Sequence, residues 1–348
     1  MFEYVEKVKT IEDIVINTKS DGSYLIIAGE DFPFYEISSN LKTRWLGVMF
    51  PALFCKEGID KNLAFICKIR EMDSLLWIES RREKEKLEDE NFLIMVGGMD
   101  SEASKYLEWL FVNSPKNSIV FGGAAGSLKE DMKRCFFNGE KYTEKGAIII
   151  GTKTTINTSI IHNYEASNEF SIVSKSKEST IYEIDFKDAF LVYKEALKEH
   201  CGLSISKENI FEHGLHHPLM LDHTFGEKTA RYPISSDGKS ILLAGNVAES
   251  SILSLGVISK KSLFKSSKKA KKIFKKYSCE KINALMFSSL GRSMLFENSF
   301  SDEVSSISKE LKNCDLLGVL SLGEVINTVR NYIEFHNGTC VIGVSCAV

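Results

Sequence analysis

Gly318-Val319-Leu320-Ser321-Leu322-Gly323-Glu324, and further on His336-Asn337-Gly338-Thr339-Cys340-Val341-Ile342-Gly343-Val344, close the chain. Each piece holds a short apolar run of β character, Leu316–Leu320 in the first case and Cys340–Val344 in the second. The two runs bracket an acid and a His-Asn pair. One carboxylate, one imidazole and one amide near strand ends can converge on a small polar ligand.

Working back from that tail, the same kind of run recurs. Tyr24–Ala28, Leu63–Lys68, Leu75–Ile78, Phe92–Val96, Ser118–Phe121, Ala147–Gly151 and Ala284–Phe287 all read as short strands. Helices are predicted after Asp100, from Asp185 through Cys201 with Gly202 as the stop, from Lys265 to Lys276, and over Asp302–Leu311. Phe211–His223, with Gly214 and Pro218, reads as a His-rich loop. Strands and helices alternate too irregularly for a doubly wound sheet. The expected fold is α/β of the α+β kind, with mixed or antiparallel sheets flanked by helices. A β meander gives way to a helix near Asp185, so two domains are expected, 1–184 and 185–348. No repeat of solenoid period is evident.

The chain has 348 residues, 43% hydrophobic and 26% charged, which is ordinary for a soluble globular protein. A net charge of −3 gives no global case for nucleic acid or acidic membranes. The N-terminus lacks a basic then apolar leader, and no apolar stretch approaches the ~20 residues of a membrane span. The 8 Cys are scattered without a CxxC pair, which suits reduced, buried thiols.

Several groups are candidates for chemistry. Gly122 and Gly123 open a glycine-rich turn, Gly122–Ser127, able to present N–H groups to an anion. Its spacing fits neither a Walker A loop nor a dinucleotide fingerprint. Arg231 and Arg292 stand out because Lys dominates the cations, and Arg offers a bidentate fork to a carboxylate or phosphate. His213, His216, His217 and His223 invite a metal, yet no Cys or paired carboxylate completes a set, and no metal is expected. No GxSxG elbow occurs, and Cys55, Ser288 and Ser289 have no base assigned to them.

The ordered set of motifs resembles the FIST family of intracellular sensory proteins, which have an N-terminal and a C-terminal FIST region. Gly47-Val48-Met49-Phe50-Pro51 and Phe121 through Gly126 look like the first region. Tyr182–Asp185 with Ala189 and Tyr193, His217-Pro218-Leu219, Arg231-Tyr232-Pro233, Phe287 through Arg292, Gly323-Glu324 and His336-Asn337-x-Thr339 resemble the second. The chain departs from the pattern at Ser289, where Cys is common, and at Gly338, where Gln is common.

The resemblance implies a cytoplasmic, non-enzymatic sensor of a small polar ligand such as an amino acid. It would signal through a partner: a histidine kinase, a chemotaxis receptor or a cyclic-di-nucleotide enzyme. Gly122, Gly123, Arg231, Arg292, Glu324, His336 and Asn337 are the expected ligand residues. Arg231 or Arg292 would take a carboxylate and Glu324 an ammonium. No cofactor is expected on this reading. The alternative is a haem-binding nitric-oxide sensor with His217 or His336 on the iron, since one imidazole in an apolar pocket suffices. A third reading is an enzyme using the His-rich loop, Glu324 and Ser289. The glycine turn and the tail are expected to face one cleft, so that Gly123→Val would abolish binding while the fold survives.

Overall fold

The computed structural model describes residues 1–18, 21–79, 86–162, 164–223, 228–258, 282–310, 314–327 and 332–346. Strands follow one another in the same order three times. The first unit comprises β1 (Phe2–Val8), β2 (Ser23–Gly29), β3 (Arg44–Phe50), the hairpin β4 (Ala52–Cys55) and β5 (Gly58–Asp60), and β6 (Ala64–Ile69). The second has β7 (Ser74–Ile78), β8 (Asn91–Gly97), β9 (Ile119–Ala125), the hairpin β10 (Phe136–Phe137) and β11 (Tyr142–Thr143), and β12 (Ala147–Thr152). The third has β13 (Ile156–His162), β14 (Ile282–Ser289), β15 (Cys314–Ser321), the hairpin β16 (Glu324–Asn327) and β17 (Ile333–His336), and β18 (Thr339–Cys346).

Each unit builds four strands of its own six-stranded sheet and gives its hairpin away. The sheet orders are β1-β6-β2-β3-β10-β11, β7-β12-β8-β9-β16-β17 and β13-β18-β14-β15-β4-β5. In every sheet the central pair is parallel and all other pairs are antiparallel. The first unit's hairpin completes the third sheet, the second's completes the first, and the third's completes the second. The exchange pairs otherwise bare sheet edges, which are costly to leave open.

Register fixes which residues correspond. Ala28 pairs with Met49 and Ala64, Val96 with Ala124 and Ala147, and Ser288 with Leu320 and Cys340. By the same count Gly47, Gly122 and Gly318 occupy one position, opposite Phe137, Val325 and Phe54 of the donated hairpins.

The central parallel strands are near-continuous apolar runs because both faces are covered. Inward, one core takes side chains from all three sheets, and Phe287 lies 6.1 Å from Phe50 and 6.2 Å from Phe121 between ring centroids. Outward, each parallel pair is crossed over by helix. In the first unit α1 (Ile11–Asn17) precedes β2 and α2 (Ile37–Asn40) links β2 to β3. In the second, α3 (Ala103–Asn113) sets Tyr106, Leu107 and Leu110 against Phe92, Ile94 and Val96.

Residues 164–258 interrupt the third unit between β13 and β14. They form a nine-stranded sheet, antiparallel throughout, which packs against α4 (Ala189–Cys201) and α5 (Ile210–His216). The chain then resumes the third unit, where α6 (Leu290–Phe296) and α7 (Asn298–Glu310) place Phe296, Phe300, Val304 and Ile307 on Met286 and Phe54. The expected mixed and antiparallel sheets flanked by helices are present. The 184/185 position falls between Thr180–Ile184 and Lys187–Asp188, two segments that pair with each other.

Two local expectations are corrected. Residues 210–216 are helical rather than a loop, because Gly214 lets the helix lie on Pro233, whose carbonyl would sit 2.6 Å from an added Cβ. Gly122 and Gly123 lie inside β9 rather than in a turn; β9 runs on through Ala125 because β8 pairs with it as far as Ala125, while β16 pairs with it as far as Gly123. The Lys-rich helix expected at Lys265–Lys276 lies outside the described residues. Among the described residues no helix is long and apolar enough to cross a membrane.

Candidate functional site

The three equivalent strand ends provide an internal comparison. In the first unit the residues there are Ala28, Gly29, Phe50, Leu53 and Leu63. In the second they are Val96, Gly97, Ala125, Phe136 and Gly146. In the third they are Ser288, Ser289, Ser321, Glu324 and Thr339. All five polar residues are buried. The fold tolerates apolar residues at each position twice over, so it does not itself demand hydroxyls and a carboxyl in the third copy.

Glu324 opens β16, which pairs with Gly123 of β9 on one side and His336 of β17 on the other. Its side chain is fully buried. Ser321 Oγ donates to Oε1 at 2.6 Å, and Thr339 donates to Oε2 through N–H at 3.1 Å and Oγ1 at 2.9 Å. Burial pushes its carboxyl from the ordinary 4.5 up to about 8, although those three donors and the charge of Arg292 pull the other way. The group is therefore largely a neutral acid near pH 7.

Arg292 is 1% exposed, yet Nε and Nη1 have no hydrogen-bond partner. Nη2 donates to Glu303 Oε1 of α7, while the second Glu303 oxygen is unpartnered. The guanidinium also lies 5.1 Å from the Phe296 ring centroid. Ser288 Oγ is a further buried oxygen without a partner. Native proteins leave few such groups, and each asks for an explanation. From the inserted sheet come Tyr164 and Tyr232, whose hydroxyls are 3.0 Å apart. Tyr164 donates onward to the Leu215 carbonyl at 2.8 Å. Tyr232 packs where a Cβ on Gly291 or Gly338 would strike its ring or hydroxyl, so both glycines permit its close approach. Burial raises both phenols, Tyr164 to about 12, so both stay neutral.

The remaining expected residues divide. Arg231 is spent on structure: it donates to the carbonyls of Asn246 at 3.2 Å, Ala230 at 3.1 Å and Phe335 at 3.1 Å, and to Asn337 Oδ1 at 3.5 Å. It clamps the inserted sheet to β17, and desolvation lowers its pKa to about 10. Asn337 forms a bridge to Ala230 at this clamp. His336 has Nε2 3.3 Å from Glu334 and an unpartnered Nδ1, and burial lowers its pKa. Gly123 neighbours Glu324 along the ladder, but its Cα hydrogen faces the core, with Phe287 only 2.5 Å from an added Cβ. Gly123→Val is therefore expected to unsettle the core, at ~1–3 kcal/mol or more, rather than to block a cleft. A cooperative unfolding curve unchanged from wild type would contradict this.

The haem reading rests on His217 and His336. His336 is fully enclosed, and His217 has Nδ1 3.7 Å from Cys201 Sγ. Among the described residues no group of three or more His, Cys, Asp or Glu is placed to hold a metal ion. Sequence reading named Ser288 only as a nucleophile type and Thr339 only as part of a motif. Ser321 and Tyr232 likewise stand there only as parts of motifs, and Glu303 and Tyr164 are missed as site residues. The repeated strand pattern is the signal that singles out the two serines and Thr339.

A family model described as FIST N domain matches residues 42–187, and one described as FIST C domain matches residues 189–327. Arg231, Arg292 and Glu324 lie within the second match. No curated protein matches the chain.

Proposed function

The chain belongs to the FIST family, and from that premise we propose that it is a sensor which holds a small carboxylate-bearing metabolite, such as an amino acid, at the Arg292–Glu324 cluster. The sensory role goes with the family. The ligand class rests on one observation: a buried guanidinium with unspent donors lies beside polar residues that the two sister units lack. A carboxylate is the anion that best fits a planar fork of N–H donors. Ser288 Oγ would add one hydrogen bond, and Glu324 would receive an ammonium.

The cluster is closed as placed, so a ligand enters only if a neighbour moves. That feature suits a sensor, because binding is then coupled to a conformational change. Tyr232 and the Asn337-Gly338 turn are the natural gate, since Tyr232 packs on Gly338 and the Arg231 clamp reaches Asn337. The output goes to a partner protein, for which the family suggests histidine kinases, chemotaxis receptors or cyclic-di-nucleotide enzymes. Non-enzymatic action is part of the proposal.

Calorimetry against a panel of amino acids and small carboxylates tests this. Arg292→Lys keeps a cation for Glu303 but loses the fork, and a drop in affinity of about tenfold or more is expected. Ser288→Ala should weaken binding by about three- to tenfold while leaving the free protein as stable as before, because the hydroxyl bonds nothing there. A panel with no binder, or equal affinities in both variants, would refute the assignment.

A further inference from the structure

Away from that cluster, an open groove of about 740 Å3 runs along the start of β3 between the first and second units. Trp45, Trp77 and Phe137 line it, with Lys42, Arg44 and Glu140 also on its walls. Trp45 and Phe137 stack at 4.1 Å with their planes 18° apart. Trp77 Nε1 is buried and has no partner. Lys42 and Arg44 make no ion pair among the described residues, so the groove has one net positive charge.

The internal comparison applies here independently. Trp45, Phe137, Trp77 and Arg44 correspond by register to Val120, Val325, Ile160 and Ile119 in the next position around the fold. They correspond to Leu316, Phe54, Lys7 and Asp315 in the last. The strand plan thus accepts aliphatic, basic or acidic residues at these places, with Phe54 the one aromatic match, and among the described residues only one junction combines two Trp and a Phe with an unpaired guanidinium.

We propose that this groove binds a flat aromatic or heteroaromatic molecule carrying one anionic group. The volume suits a molecule of metabolite size, for which pockets of ~300–1,000 Å3 are usual. Trp45 and Phe137 stack on each other and are 3% and 4% exposed, so a bound ring meets them at their edges, and the partly exposed Trp77 offers the larger aromatic contact. Lys42 and Arg44 at the exposed rim select its charge. This site shares no residue with the Arg292–Glu324 cluster, so either assignment can fail alone.

The chain has only 3 Trp, and Trp109 lies on α3 outside the groove. Indole N–H signals of 15N-labelled full-length protein therefore report the site directly. 4-Hydroxybenzoate and adenosine 5′-monophosphate are the probes, with 4-hydroxybenzamide and adenosine as neutral controls. A saturable shift of the Trp45 and Trp77 signals by one or both anions, with Trp109 unmoved, is the expected result. Which anion binds separates a carboxylate source from a nucleotide one. The exposed Lys42→Ala/Arg44→Ala pair should weaken that binding about tenfold, with the remaining spectrum preserved. No saturable shift with either anion up to about 10 mM, or equal affinity for the neutral controls or for the double variant, overturns the proposal.

Discussion

The native protein is expected to lose stability between about pH 5 and about pH 8, and Glu324→Gln to remove most of that fall. Burial raises the carboxyl from 4.5 to about 8 in the folded state. Below 4.5 both folded and unfolded chains hold the proton, and the neutral acid's contribution is complete. Above that, the unfolded chain loses its proton while the folded chain keeps it. Stability therefore declines by about 1.4 kcal/mol per pH unit until the folded group ionises near pH 8, several kcal/mol in all. Gln is neutral throughout and can keep the local geometry. Its oxygen can accept from Thr339, and its amide can donate to Ser321 Oγ, which accepts as readily as it donates. Denaturant titrations across this range should give a sloping line for the native chain and a much flatter one for the variant. His336, whose pKa burial lowers, contributes a slope of opposite sign and is present in both proteins. The difference between the two lines is thus the readout, and parallel lines would show that Glu324 is not the titrating group.

A consequence for ligand binding follows from the same group. An ammonium set against Glu324 favours its ionised form, so binding at neutral pH should release a proton. Calorimetry in buffers of differing ionisation heat would register it, and a binding heat independent of buffer would place the ammonium elsewhere.

Most strands and helices are legible in the sequence because they are short apolar runs with clear stops. Phe92–Val96 before Gly97 and the helix ended by Gly202, which takes φ 68°, need no tertiary information. The repeat is a different matter. Leu25-Ile26-Ile27-Ala28-Gly29, Leu93-Ile94-Met95-Val96-Gly97 and Leu285-Met286-Phe287-Ser288-Ser289 are three copies of one strand. Leu46-Gly47-Val48, Phe121-Gly122-Gly123 and Leu317-Gly318-Val319 are three copies of its partner. They escape a search for fixed period because residues 164–258 interrupt the third copy. The glycines suggested turns for the same reason that glycine usually does. Here their use is steric, and only the neighbours across the sheet reveal it. Of the candidate site, Glu324 and Arg292 were legible as residue types in an ordered motif. The division of labour between Arg292 and Arg231 was not, because it depends on carbonyls from Asn246 and Phe335 that approach from distant segments.

Alanine at Gly122 is expected to prevent folding, and alanine at the equivalent Gly318 to do so in a way that can be repaired. An added Cβ at Gly122 would lie 1.7 Å from the carbonyl oxygen of Ile94, the backbone of the adjoining parallel strand. No side-chain rotation relieves that contact, so β8 and β9 must separate or slip, and slipping one residue turns a buried strand inside out. At Gly318 the obstacle is the ring of Phe54, 2.0 Å from the added Cβ and contributed by the first unit's hairpin. Overpacking of this kind costs ~1–3 kcal/mol or more, but the clashing atoms belong to a side chain. Phe54→Leu should therefore restore part of what Gly318→Ala removes, even though Phe54→Leu alone loosens the cluster with Phe300. Soluble yield and denaturation midpoints of the single and double variants measure the coupling directly. A Gly122→Ala protein that folds with native stability would mean the two strands are not held in the register described. Simple additivity for Gly318→Ala with Phe54→Leu would mean that the donated hairpin does not seat on β15, and the exchange of hairpins among the three units would fall with it.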